Sequence, residues 1–151
     1  MRPSTPSVAA PARVLVDSGA WIALVRAKDQ YHASAEQMFR DAIRHRIRLV
    51  TTNLILAEVQ RFILFHVGIQ PALHVLDRIE ASPLLTIEFT TAAHHAAARK
   101  WLAQFPDQRI SYTDAVSFAV MRAMRCTTAM GFDHDFELAG FALWRPGDAR
   151  G

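Results

Sequence analysis

The chain has little of what a secreted, membrane-spanning or zinc-dependent protein needs. Its only cysteine is Cys126, so no disulfide can form within the chain. A lone thiol in an apolar stretch fits a reducing compartment and a buried side chain. No uninterrupted apolar run approaches the length of a membrane span, and a cytoplasmic protein is expected. The N-terminal MRPSTPSVAAPAR has prolines where a secretory signal needs its apolar centre. Residues 1–12 are expected to form a disordered tail, and residues 147–151 a second, shorter one. Seven histidines are present, yet none pairs with another or with the cysteine at zinc-ligand spacing. Walker loops, GxGxxG runs and an ordered serine–histidine–acid set are all missing. Lysine is scarce too, with only Lys28 and Lys100 among 17 basic residues. Arginine suits bidentate phosphate contacts, but a GC-rich coding sequence produces the same bias, which decides nothing alone.

What is present is one globular domain's worth of chain. At 151 residues, 51% apolar and 21% charged, it supports a single core, and a domain over 13–146 is expected. Arg13–Val16 (RVLV) is a buried-strand pattern ending in Asp17. Ser18-Gly19 marks a turn, and Ala20–Ala27 begins a helix. A second helical pattern runs from Gln30 to Arg46, with Tyr31, Ala35, Met38, Phe39 and Ala42 on its inner side. Leu49–Thr51 is a strand, after which Thr52 or Asn53 caps a long helix stopped by Gly68. Gln70–Glu80 makes another helix, Leu84–Phe89 a strand, and Thr90–Gln104 a helix. Ser111 then opens a buried helix, Thr127–Met130 forms a short strand, and Phe141–Trp144 is the last, an edge strand. Strands separated by helices imply an α/β three-layer sandwich around a mainly parallel sheet.

Four acids fall where such a sheet binds ligands, beyond the C-terminal strand ends. Asp17 and Asp133 follow strands, while Glu58 and Asp114 lie in the N-terminal halves of helices. Each has an ordinary structural explanation. Ser111 and Asp114 fit a capping box, Asp17 fits a helix cap, and Asp133 fits an Asx-turn. Glu58 could pair with Arg61, although LILAEV would bury its carboxylate among apolar neighbours. Together the four need more. Two carboxylates about 4 Å apart repel by roughly 4 kcal/mol at an effective dielectric of 20, so such a group takes up protons or recruits a cation. Hard oxygen ligands select Mg²⁺ or Mn²⁺ over Zn²⁺. One or two such ions can activate water and steady developing charge on a phosphodiester. A phospho-acceptor receiver domain also has an acidic pocket, but it wants a lysine ending a late strand, and Lys100 lies mid-helix.

The segments VLVDSGAWIALV, TTNLILAEV, SYTDAVSFAVMR and GFDHDF, in this order and spacing, resemble the PIN domain and, more closely, the VapC-type toxins of toxin–antitoxin pairs. The resemblance runs from about Val14 to Trp144. It implies an acidic quartet of Asp17, Glu58, Asp114 and Asp133 holding Mg²⁺ or Mn²⁺ for hydrolysis of structured RNA, with Asp135 as a fifth, outer acid. It implies that Ser18 orients a ligand or water, and that Phe136 is a packing aromatic. It also implies a cognate antitoxin and a homodimer. One position departs from the pattern: many relatives carry Thr or Ser two residues before the last acid, and here Gly131 stands there. A non-catalytic PIN-fold module binding RNA or a protein is therefore the alternative. A DNA-directed or flap-type nuclease is a third, disfavoured because the chain has no inserted arch.

Overall fold

Val14, Leu15 and Val16 of strand β1 (Arg13–Val16) are wholly buried, so β1 must be covered on both faces and flanked on both edges. In the computed structural model, which describes residues 13–145 and residue 147, it is. The other elements are α1 (Ser18–Val25), α2 (His32–Arg44), β2 (Arg48–Thr52), α3 (Asn53–His66), α4 (Ile69–Glu80), β3 (Leu85–Glu88), α5 (Ala92–Gln104), α6 (Tyr112–Ala123), β4 (Thr128–Met130), α7 (Asp135–Leu138) and β5 (Ala142–Leu143). The strands form one sheet in the order β3-β2-β1-β4-β5, with every pairing parallel. The tail expected at 1–12 lies outside the described residues, as do Pro146 and all of the tail expected at 147–151 except Gly147.

Adjacent residues of β2 show why the sandwich has three layers. Successive strand side chains point to opposite faces. Leu49 joins the larger core with Val59 and Ile63 of α3, whereas Val50 packs with Ala98 of α5 and Val116 and Val120 of α6. Helices thus cover both faces, as the pattern of the sequence demanded. On the β4–β5 side, Phe118 meets Trp101 and Phe136 edge to face and tilts against Phe141, with Arg122 lying over the Phe141 ring. Phe136 is fully buried there, in the packing role expected for it.

Several expectations need correction. No separate turn follows Asp17, because Ser18 already lies in α1. Tyr31 caps α2 from outside and is 42% exposed, while Ala35, Met38, Phe39 and Ala42 are buried. A cap residue precedes the helical rotation that would turn it inward. The edge strands are shorter than their apolar runs: β5 has two residues, and Leu84 stands outside β3 at a φ of 63°. Of the two cap candidates for α3, Thr52 fills the role by accepting from Ile55 N–H at 3.1 Å. Asn53 Oδ1 instead accepts from Thr90 N–H and its hydroxyl, at 2.9 and 2.8 Å, tying α3 to the exit of β3.

From β1 the chain builds outward through β2 to β3, then crosses back to place β4 and β5 on the other side of β1. The C-terminal ends of β1 and β4 therefore form the point where connections diverge, which leaves a crevice. Asp17 and the segment Gly131–Asp133 leave the sheet at that point.

Candidate metal centre

Asp17 is fixed by its backbone. Its N–H donates to Met130 O at 2.9 Å, and its carbonyl accepts from Ala20 N–H at 3.2 Å to start α1. Its side chain makes no capping hydrogen bond, so the ordinary explanation for this acid fails. The residue is 5% exposed, and Oδ1 is buried with no hydrogen-bond partner among the described residues. A buried carboxylate oxygen in that state is costly unless it is protonated or meets a cation. Accordingly burial, followed by the charge of Asp114, pushes the Asp17 carboxyl up to about 8.

Asp114 lies in the first turn of α6, whose cap Ser111 accepts from Asp114 N–H at 3.1 Å. The serine half of the capping box is thus present, yet the carboxyl still belongs to the acidic group. Burial first, then the charges of Asp133 and Glu58, raise it to about 7, against a lowering contribution from Ser111. Asp133 forms the Asx-turn, with Oδ1 accepting from Asp135 N–H at 2.9 Å. That turn opens α7 and carries Asp135 back toward the crevice. Asp135 is itself raised by burial and then by Asp133. One oxygen from each of Asp114, Asp133 and Asp135 lies within 4.8 Å of the other two.

Glu58 differs from expectation. It is exposed rather than buried among the apolar side chains of α3, because the helix turns Ile55 and Val59 inward and leaves position 58 at the crevice mouth. The Ser18 hydroxyl donates to Glu58 Oε1 at 2.7 Å, so Ser18 orients an acid. The Glu58 charge raises both Asp17 and Asp114. The structure therefore gathers all five acids electrostatically. Asp135 joins the tight trio, while Asp17 and Glu58 flank it. The resemblance implies Asp135 as an outer acid, and the Asx-turn at Asp133 is what brings it close to Asp114 and Asp133.

The donor set fits a divalent cation. It offers only hard oxygens, includes an oxygen with no partner among the described residues, and holds two carboxyls that resist ionisation without positive charge nearby. Gly131 backs this centre. A Cβ there would lie 3.1 Å from Asp17 Cβ and 3.6 Å from Asp17 Oδ2, so the glycine makes room for Asp17. Behind Asp17, Trp21 Nε1 donates to Thr51 Oγ1 at 3.2 Å, and that hydroxyl donates to Val16 O at 3.1 Å. This buried brace between β1 and β2 has no signature in the sequence.

Fold, switch point and acids together define a PIN domain, and the chain belongs to that family: the family model matches residues 14–142. The chain is 32% identical over 133 residues, 88% of its length and 98% of the relative's, to the 23S rRNA-specific endonuclease VapC20 of Mycobacterium tuberculosis, in strains CDC 1551 / Oshkosh and H37Rv. The crystal structure of Mycobacterium tuberculosis VapC20, described as a Sarcin-Ricin loop cleaving toxin, superposes with a TM-score of 0.80 at 32% identity, covering 88% of this chain and 99% of that one. FitAcB from Neisseria gonorrhoeae shares the fold, with a TM-score of 0.61 at 18% identity, covering 88% and 97%. The expected PIN fold and VapC-type nuclease reading are borne out.

Proposed function

We propose that the protein is a Mg²⁺- or Mn²⁺-dependent endoribonuclease that hydrolyses structured RNA and acts as the toxin of a toxin–antitoxin pair. The observation that carries this is the partnerless, buried Asp17 oxygen beside a trio of carboxylates at the switch point of the sheet. Asp17, Glu58, Asp114 and Asp133 would hold the ion, with Asp135 near enough to Asp114 and Asp133 to join them. When bound, the ion supplies activated water and charge stabilisation for in-line attack at phosphorus. The residues do the rest. Ser18 fixes the Glu58 carboxylate, the Asx-turn at Asp133 fixes Asp135, and burial keeps Asp17 from being solvated by water in place of a cation. The net charge is +3 despite these clustered acids, so the rest of the chain is basic, a balance suited to a polyanionic substrate.

Similarity to an rRNA-specific endonuclease over nearly its whole length makes the rRNA loop cut by that relative the first substrate to test. The antitoxin and homodimer are proposals on the same footing. Phe65, Ile69 and Leu73 at the α3–α4 junction, 62–68% exposed, offer apolar surface for a protein partner. Within the chain, 13–146 acts as the one nuclease domain. A cytoplasmic setting suits the RNA substrate and the buried free thiol of Cys126; no helix of the described residues is long and apolar enough to cross a membrane. The non-catalytic alternative loses its support, because Gly131 accommodates Asp17 and its lack of a side chain relieves crowding there.

The test is cleavage of RNA by antitoxin-free protein in Mg²⁺, Mn²⁺ or EDTA, beside Asp114→Asn. Cleavage that requires metal and vanishes in the variant is the expected outcome. Normal cleavage by Asp114→Asn would remove the site assignment.

A further inference from the structure

Next to the acids, the surface sinks into a cavity of about 300 Å³ that the metal chemistry does not use. Its walls include Tyr31, Phe132, His134, Glu137, Trp144 and Arg145. Phe132 and His134 flank Asp133, so the cavity opens where the strand carrying the candidate ligands leaves the sheet. The rings of Tyr31 and Phe132 stack in parallel, with centroids 4.1 Å apart and planes 11° from one another. Although one ring face is taken up by Phe132, Tyr31 remains 42% exposed. The Trp144 indole, 1% exposed, lines the same cavity, and its Nε1–H is buried with no hydrogen-bond partner among the described residues.

We infer that this cavity is a nucleobase subsite, which receives one unpaired base of the RNA strand held at the acidic centre. Unpaired bases are recognised by stacking on aromatic rings and by hydrogen bonds to their edges. The stacked pair supplies a flat platform already assembled, so little ordering entropy is lost on binding. The Glu137 carboxylate at the rim supplies an acceptor for a base N–H, and the Trp144 indole in the wall is a reporter of what fills the cavity. Glu137 lies 3.9 Å from the Arg145 guanidinium, which places a positive charge beside the entrance for the strand's phosphates. A cavity of this volume accepts one heterocycle and excludes a duplex. The subsite rests on the endoribonuclease reading for its substrate, but its chemistry needs no metal, and the two are tested apart.

The experiment follows the indole N–H signals of ¹⁵N-labelled full-length protein by NMR in EDTA. The probes are the four nucleoside 5′-monophosphates, ribose 5-phosphate, inorganic phosphate and a short single-stranded RNA. Trp144→Phe assigns the Trp144 signal, and Trp21, whose Nε1–H is engaged by Thr51 Oγ1 at 3.2 Å, is the internal control. At least one nucleotide is expected to shift the Trp144 signal saturably and leave Trp21 unmoved. Tyr31→Ala should weaken that binding by about tenfold or more, the usual worth of one base–aromatic stack, whereas Tyr31→Phe should keep it. An unmoved Trp144 signal with every nucleotide and the RNA overturns the subsite, even if the protein cleaves RNA with metal. Equal shifts with inorganic phosphate also overturn it. Saturable, Tyr31-dependent shifts in a protein that cleaves nothing would leave the subsite standing and defeat only the nuclease reading.

Discussion

Replacing Asp17 by Asn should stabilise the metal-free protein, and by an amount that depends on pH. Asn keeps the side-chain size and the capping backbone of position 17 and removes only the ionisable group. In the folded protein the Asp17 carboxyl sits near 8, chiefly through burial, against 3.8 for an unperturbed aspartate. Between those values the folded state binds a proton that the unfolded chain has lost, so wild-type stability falls as pH rises across the window and levels off above it. At about 1.4 kcal/mol per unit, folding carries a penalty on the order of 4 kcal/mol at pH 7, shrinking to about 1 kcal/mol by pH 4.5. Asp17→Asn escapes that penalty. For a chain of this length about 2–4 °C accompanies each kcal/mol, so its melting temperature in EDTA should exceed the wild type's by roughly 8–16 °C at pH 7. The gap should nearly close at pH 4.5. Differential scanning calorimetry across that range measures it directly. A variant that melts at or below wild type at pH 7, or a gap with no pH dependence, would refute the claim that Asp17 is a strained, cation-seeking carboxylate.

Other outcomes follow from the same geometry. Asp17→Asn should lose RNA cleavage while gaining that stability, and circular dichroism should show the fold intact. Binding of Mn²⁺ should release protons and strengthen between pH 6 and 8, because Asp17 and Asp114, raised to about 8 and about 7, must ionise to complete the site; calorimetric titration in buffers of different ionisation enthalpy detects the released protons. Ser18→Ala, which unties Glu58 Oε1 from its 2.7 Å donor, should lower activity about tenfold, the range found for groups that orient metal ligands. Gly131→Thr should reduce cleavage rather than improve it, since its Cβ would meet Asp17 Cβ at 3.1 Å; a gain in rate would show that the missing hydroxyl matters more than the space.

The sequence by itself determined the architecture. RVLV, LVT and TAM are short, β-rich and apolar on both sides, and only a parallel sheet covered by helices buries such strands completely. It also determined which acids gather, because Asp17 and Asp133 follow strands that must end on one edge. What it left undecided was the relation of each acid to solvent and to its neighbours. Glu58, set in LILAEV, looked buried, but helical rotation puts it at the crevice mouth under the control of Ser18, a contact across 40 residues of chain. Asp135 joined the tight trio only because the Asx-turn at Asp133 reversed the backbone. Tyr31 looked like core on spacing alone and proved to be a half-exposed ring stacked on Phe132, more than a hundred positions away. Local pattern reports which faces are apolar and where the chain turns. Distances between groups remote in sequence, and the burial that shifts a carboxylate's pKa, exist only once the sheet has brought β1 and β4 together.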